Sequence, residues 1–306
     1  MSLSGKGFGS GSGSDSERRR SGPSIPPPPL GRAMVGRYEV IYPLAAGGMA
    51  SVHVGRLSGM AGFEKLVAIK TIHPHLAVQP EFVKMFLDEA RVAARIHHPN
   101  VGEILEIGED DGLLFMVGEL IRGQDLRQIF RQAGHSGVPI SHGMIAYICS
   151  QVCLALHAAH SLSDPDLGQL HIVHRDVSPR NVLITYDGFV KLIDFGVASV
   201  RGKISQTEAD GLKGKIGFMS PEQLRGHGVD RRSDVFSLGV MLYLMVTGTH
   251  PFPGDSDGAR VERVLHGPIV PPRQVNPHTR PEMEAITLKA MARDRVERYR
   301  DAAEFC

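Results

Sequence analysis

The chain is poor in cysteine, carries no excess of charge of either sign, and its longest unbroken apolar run is expected to be too short to cross a bilayer. Three cysteines stand among its 306 residues, too few for a disulfide framework. Cys149 and Cys153 lie four apart in the apolar stretch "YICSQVCLALHAAH". That spacing suits packed core thiols, or half of a metal site that would need a second pair. Cys306 stands alone, so reduced thiols in an intracellular compartment are expected. With 34 basic and 33 acidic residues the formal net charge is +1, which gives no global reason to expect a nucleic acid or a membrane surface as partner. The longest apolar run, "VFSLGVMLYLMVTG" at 235–248, is short for a membrane span and reads as a buried helix. The opening "MSLSGKGFGSGSGSDSERRR" lacks the apolar segment of a secretory signal. No internal repeat is apparent.

What is present is the composition of a globular protein with a core, 42% hydrophobic and 22% charged. Residues 1–36 are the exception: Gly, Ser, Pro and Arg dominate, and such a segment cannot bury enough apolar surface to fold. It reads as a flexible leader, its "ERRRSGPS" either a solvated charge run or a phosphosite around Ser21. From Tyr38 the pattern becomes structured. "RYEVIYPLAAGGMASVHVGRL" predicts two strands around a glycine turn, "EKLVAIKTI" a third, and "VGEILEIGEDDGLLFMVGEL" a further pair. "EFVKMFLDEARVAARI" is amphipathic at helical spacing, with Phe82, Phe86, Val92 and Ile96 among its apolar positions. After "IRGQDL" the patterns are helical, notably 141–160, 235–247 and 280–292. The expected organisation is α+β and bilobal. A small β-rich lobe with one main helix spans about 37–118, a connection spans 118–124, and a larger helical lobe runs from 125 to 306.

Several short patterns carry chemistry. "LAAGGMASV" at 44–52 holds Gly47 and Gly48 in a turn where backbone N–H groups could approach phosphate; against G-x-G-x-x-G-x-V, Ala45 and Ala50 replace the outer glycines, and an ordinary hairpin turn fits as well. "VAIK" ends in Lys70, and Glu89 on the next helix is the carboxylate that could hold it. The two could equally form a routine exposed pair. "HRDVSPRN" at 174–181 and "KLIDFG" at 191–196 place Asp176, Asn181 and Asp194 on adjacent loops. One carboxylate could take a hydroxyl proton there, while hard oxygens hold magnesium. "FMSPEQL" and "DRRSDVFSLG" follow in order.

Together these patterns resemble a eukaryotic-like (Hanks-type) bacterial serine/threonine protein kinase, from Tyr38 to the end of the chain. The resemblance implies the bilobal kinase fold, ATP with Mg2+ or Mn2+ in the cleft, protein substrates, self-association for autophosphorylation, and a cytoplasmic location with a membrane tether beyond residue 306 left open. It assigns Lys70 to the nucleotide phosphates and to Glu89, Asp176 to the catalytic base, and Asn181 and Asp194 to the metal. Leu44, Gly47, Gly48, Val52 and Ala68 would cover the nucleotide, Leu183 would support the adenine from below, and the backbone of Glu119 and Ile121 would meet its edge. Glu222 would pair with Arg298, and Asp234 would anchor the catalytic loop.

Four departures from that family are expected to matter. Ala45 and Ala50 thin the glycine loop. Ser178 replaces the lysine that touches the transferring phosphate, and Arg180, placed as in tyrosine kinases, is a candidate stand-in. Lys215 occupies the place of the threonine that normally contacts that lysine. Gly118 falls where a larger gatekeeper is usual, through a shift in alignment or as an open pocket behind the adenine. These leave a pseudokinase scaffold or a tyrosine or dual-specificity enzyme as alternatives; a small-molecule phosphotransferase should lack the "SPE" segment. "SLSDPDLGQLH" at 161–171 reads as a surface loop, and Ser205 and Thr207 are candidate phosphosites for pairing with Arg175.

Overall fold

A computed structural model describes residues 34–166, 168–195 and 215–306; the Ser205 and Thr207 phosphosites lie outside the described residues. The N-terminal lobe is one antiparallel sheet in the order β1 (Met34–Val35), β2 (Tyr38–Ala46), β3 (Ala50–Ser58), β4 (Glu64–Ile72), β6 (Leu113–Glu119) and β5 (Ile104–Asp110). Its strands alternate. In β4, Val67 and Ile69 are fully buried against Tyr38, Phe115 and Val117, while Ala68 and Lys70 turn to the other face. That second face is covered by α1 (Pro74–Ala77) and α2 (Pro80–Ala93), whose Phe82, Phe86 and Ala90 pack on Ile72 and Met116. Strand β1 falls within the stretch read as leader. Val35 is 1% exposed and pairs with Tyr38, so ordered backbone starts slightly before the expected boundary at residue 37.

The C-terminal lobe is built on α4 (His142–His160) and the helix Arg231–Thr247. Ile145, Val152, Leu156, Val235, Leu238 and Met241 form the centre of its core. Helix α4 has the length and apolarity of a membrane span, yet this core takes up one of its faces. Cys149 and Cys153 lie in that core, and burial pushes the Cys149 thiol up to about 12. Between the lobes, β7 (Gly123–Asp125) pairs with β10 (Val182–Thr185), which pairs with β11 (Val190–Leu192). This small sheet fixes the loops on either side of β10 and β11, where the chemistry-bearing residues lie. Asp125 also caps α3 (Leu126–Ser136) by accepting from Gln128 N at 2.8 Å. The inserted stretch at 161–171 is a small hairpin, β8 (Ser163–Asp164) against β9 (Gly168–Gln169), tied to the N-lobe side by Arg95 and Asp164 at 3.2 Å.

Candidate active site

A cleft of about 1980 Å3 opens between the lobes. Its lining contains Leu44, Gly47, Gly48, Val52, Ala68, Lys70, Glu89, Glu119, Ile121, Arg180, Asn181, Leu183 and Asp194, together with Asp176. Residues spread over 150 positions of sequence thus converge because β4, α2, the β6–β7 connection and the β10–β11 loops all end at one edge.

Lys70 emerges from the cleft face of β4. Glu89 is the carboxylate on the buried stripe of α2, in line with Phe82, Phe86, Ala90 and Ala93. A charge on such a stripe needs a partner, and Lys70 Nζ donates to Glu89 Oε1 at 2.6 Å and to Asp194 Oδ1 at 3.0 Å. This is not the routine exposed pair: the Lys70 and Glu89 side chains are 19% and 8% exposed. Burial alone would pull the Lys70 pKa down, but Asp194 and Glu89 together hold it above the usual lysine range. Asp194 is correspondingly held below the usual carboxylate range, chiefly by Lys70. Its backbone has φ 56, an uncommon left-handed conformation for aspartate.

The loop 174–181 is suspended from a buried carboxylate. Asp234, fully buried, accepts from His174 N, Arg175 N and His160 Nε2, each at 2.8 Å. His174 is buried too, and burial depresses its pKa. Asp176 N donates to His174 Nδ1 at 3.2 Å, so the proton sits on Nε2, which donates to Ile193 O at 3.1 Å. One neutral imidazole thereby ties the Asp176 loop to the strand end that carries Asp194. Asn181 Nδ2 donates to Asp176 O at 2.8 Å, which leaves its amide oxygen for another partner. One carboxylate and one amide oxygen suit Mg2+, which keeps several waters and takes other ligands from phosphate. Asp194 and Asn181 therefore fit a magnesium site.

The glycine turn is a hairpin end closed by Gly47 N to Ala50 O at 2.9 Å. His73 braces it through Nε2 to Gly47 O at 2.8 Å, a contact no sequence pattern announces. Gly118 pairs with Ala68 across β4 and β6. A Cβ on it would lie 3.0 Å from Glu103 O and 3.6 Å from Ile104; the close approach of that carbonyl favours glycine. Glu119 does more than offer backbone: its Oε1 accepts from Glu103 N at 3.0 Å and from Lys191 Nζ at 2.5 Å, binding the connection to the C-lobe. Arg180 lines the cleft, exposed and with no ion pair among the described residues. Lys215, by contrast, donates to Asp176 Oδ2 at 2.7 Å.

Below the site, Glu222 and Arg298 form a buried pair at 2.8 Å and 2.9 Å. Ser220 and Gln223 make a capping box on the helix Pro221–Leu224, and Gln223 Nε2 also donates to Arg175 O at 2.9 Å. Sequence reasoning missed Gln223, although the S-x-x-Q spacing signals the box itself.

The protein kinase domain family matches residues 38–299. Similar proteins include the tyrosine-protein kinase MasK of Myxococcus xanthus, 40% identical over 88% of this chain and 42% of that protein. The serine/threonine-protein kinase PknB of Mycolicibacterium smegmatis is 36% identical over 88% and 41%, and PrkC of Bacillus subtilis 32% identical over 90% and 40%. The chain thus spans about two fifths of the length of these curated relatives. A crystal structure of the Mycobacterium tuberculosis PknI kinase domain superimposes with a TM-score of 0.66 at 26% identity, covering 88% of this chain and 93% of that one. The β-sheet lobe, the helical lobe, the cleft between them and these matches lead to one assignment: the chain belongs to the protein kinase family, alongside Hanks-type kinases of bacteria.

Proposed function

We propose that this domain transfers the γ-phosphoryl group of ATP to serine or threonine hydroxyls of protein substrates, its own chain included. The observation that carries the reading is the Lys70 ammonium held at 2.6 Å from Glu89 and 3.0 Å from Asp194. This cation is prepared for phosphate oxygens and needs no reorganisation when they arrive. Lys70 holds the nucleotide phosphates, and Val52, Ala68 and Leu183 provide apolar walls for the adenine. Asp176 orients the acceptor hydroxyl and takes its proton. Magnesium, when bound through Asn181 and Asp194, supplies charge neutralisation on the phosphates. A scaffolding role would not require these groups to be held together, yet Lys70 is paired with both Glu89 and Asp194 and Asn181 is bonded to Asp176, which favours the enzyme.

A tyrosine-directed reading has its own support: MasK bears that name, and Ser178 and Arg180 follow the tyrosine-kinase arrangement. The test is incubation of the purified chain with Mg-ATP and general protein acceptors, followed by phosphoamino-acid analysis. Phosphoserine and phosphothreonine are expected; phosphotyrosine alone would transfer the specificity to the second reading.

Gly118 adds a prediction about the nucleotide. Without a side chain between Ala68 and Ile104, the back of the cleft accommodates substituents on the adenine amine. ATP carrying an N6-benzyl group is expected to serve as phosphoryl donor with a KM within roughly tenfold of that for ATP, a difference of about 1.4 kcal/mol or less. Strict rejection of the analogue in a kinetic assay would defeat the idea.

A further inference from the structure

Ser178 stands two residues after Asp176, and Lys215, 37 positions further on, reaches the Asp176 carboxylate. Ser178 cannot supply a charge, and its hydroxyl, in a residue 3% exposed, has no hydrogen-bond partner among the described residues. Lys215 Nζ lies 2.7 Å from Asp176 Oδ2, its side chain 40% exposed and lining the cleft. Lys215 and Asp194 line the same cleft as Asp176, the space into which a transferring phosphoryl group must come.

Resting on the phosphotransferase reading above, we infer that Lys215 supplies the positive charge at the reacting centre that Ser178 lacks, from the stretch leading into the "SPE" segment instead of from the loop 174–181. In the transfer step the acceptor oxygen bonds to the γ-phosphorus, and the bond from that phosphorus to the β-phosphate's bridging oxygen breaks. The hydroxyl proton passes to Asp176, and ADP leaves with the electron pair. Lys215 takes no part in the proton transfer. It holds Asp176 in place and offsets the negative charge on the phosphoryl oxygens, work that is electrostatic and preorganised. The two substitutions are then one exchange: the lysine has moved from one side of the aspartate to the other.

The relocation makes the charge conditional. Lys215 is carried by a segment seated by its neighbours: Ile216 is 3% exposed, Phe218 N donates to Lys215 O at 2.9 Å, and the ring of His250 lies against Gly217 so closely that a Cβ there would come within 2.5 Å. When this segment is docked, the cation is in the site. Displacing it would take that charge out of the site.

The experiment compares the wild type with Lys215→Met, Lys215→Arg, Arg180→Ala, Lys215→Thr and the exchange Ser178→Lys/Lys215→Thr, after preincubation with Mg-ATP. Lys215→Met is expected to lower kcat roughly a hundredfold. Its KM for ATP, calorimetric ATP affinity and Tm should stay close to wild type, because the charge acts mainly on the transition state. Lys215→Arg recovers part of the rate, and Arg180→Ala loses less than Lys215→Met. The exchange variant regains activity over Lys215→Thr, which a merely structural role would not produce. A Lys215→Met rate within about threefold of wild type would overturn the inference, as would a larger loss in Arg180→Ala. A wild type that binds ATP yet transfers nothing overturns the phosphotransferase reading, and the role of Lys215 with it.

Discussion

Arg298→Met is expected to lower the unfolding free energy by about 3–5 kcal/mol, the range for removing one partner of a buried ion pair. The guanidinium is 0% exposed in its side chain and the Glu222 side chain 6%. All five N–H donors of Arg298 are used. Two meet Glu222 at 2.8 Å and 2.9 Å, and three reach the carbonyls of Ala292, Arg232 and Arg293 at 2.7 Å, 2.9 Å and 3.1 Å. The Arg298 guanidinium carbon also stands 4.9 Å from the ring centroid of Phe236. Burial pushes the Glu222 carboxyl up, but Arg298 first, with the Ser233 hydroxyl and a backbone hydrogen bond, brings it below the usual carboxylate range. Methionine fills the volume but leaves Glu222 charged and unsatisfied, with only the Ser233 hydroxyl at 2.6 Å. Urea denaturation read by far-UV circular dichroism measures the loss. Adding Glu222→Gln to the variant should recover part of it, because the stranded charge disappears. A loss below about 1 kcal/mol, the worth of a surface pair, would show that the pair does not hold the segment.

Much of this fold can be read from local pattern, since it is local pattern that decides it. Strand β4 alternates Val67 and Ile69 with Ala68 and Lys70, and the alternation alone separates core from cleft. Glu89 betrays its role because a carboxylate on an apolar stripe must find a cation. Asp176, Asn181 and Asp194 stand on loops whose spacing is itself the signature. What the sequence conceals depends on chain return. The hold of His73 on Gly47, the latch of Lys191 on Glu119 and the contact of Lys215 with Asp176 join residues 26, 72 and 39 positions apart. Lysine and histidine are so common on surfaces that their identity predicts no partner. Strand β1 was hidden for another reason. Its two residues follow a proline-rich stretch, and only the turn at Gly36, with pairing of Val35 to Tyr38, draws them into the sheet. Arg180 shows the opposite limit: its position suggested a stand-in cation, and among the described residues the ion pair on Asp176 is made by Lys215.

Asp176→Asn is expected to lower kcat roughly 10^2- to 10^4-fold, the usual contribution of a positioned proton acceptor, while ATP affinity and Tm change little. Asparagine is nearly the same size, and the backbone bonds that shape the loop remain: Asp176 N to His174 Nδ1 at 3.2 Å, and Asn181 Nδ2 to Asp176 O at 2.8 Å. What disappears is the negative oxygen that can take a hydroxyl proton and that holds Lys215 at 2.7 Å. The comparison with Lys70→Met separates two kinds of damage. Losing Lys70 strands the buried Glu89 carboxylate and removes the partner of Asp194, so nucleotide affinity, stability and rate should all fall together. Losing the Asp176 carboxylate should appear in rate alone. Phosphate incorporation from Mg-ATP, calorimetric nucleotide binding and thermal unfolding, measured on both variants, distinguish these outcomes. An Asp176→Asn enzyme as fast as the wild type would remove Asp176 from the reacting centre, because no other carboxylate on the loop 174–181 could take the proton in its place.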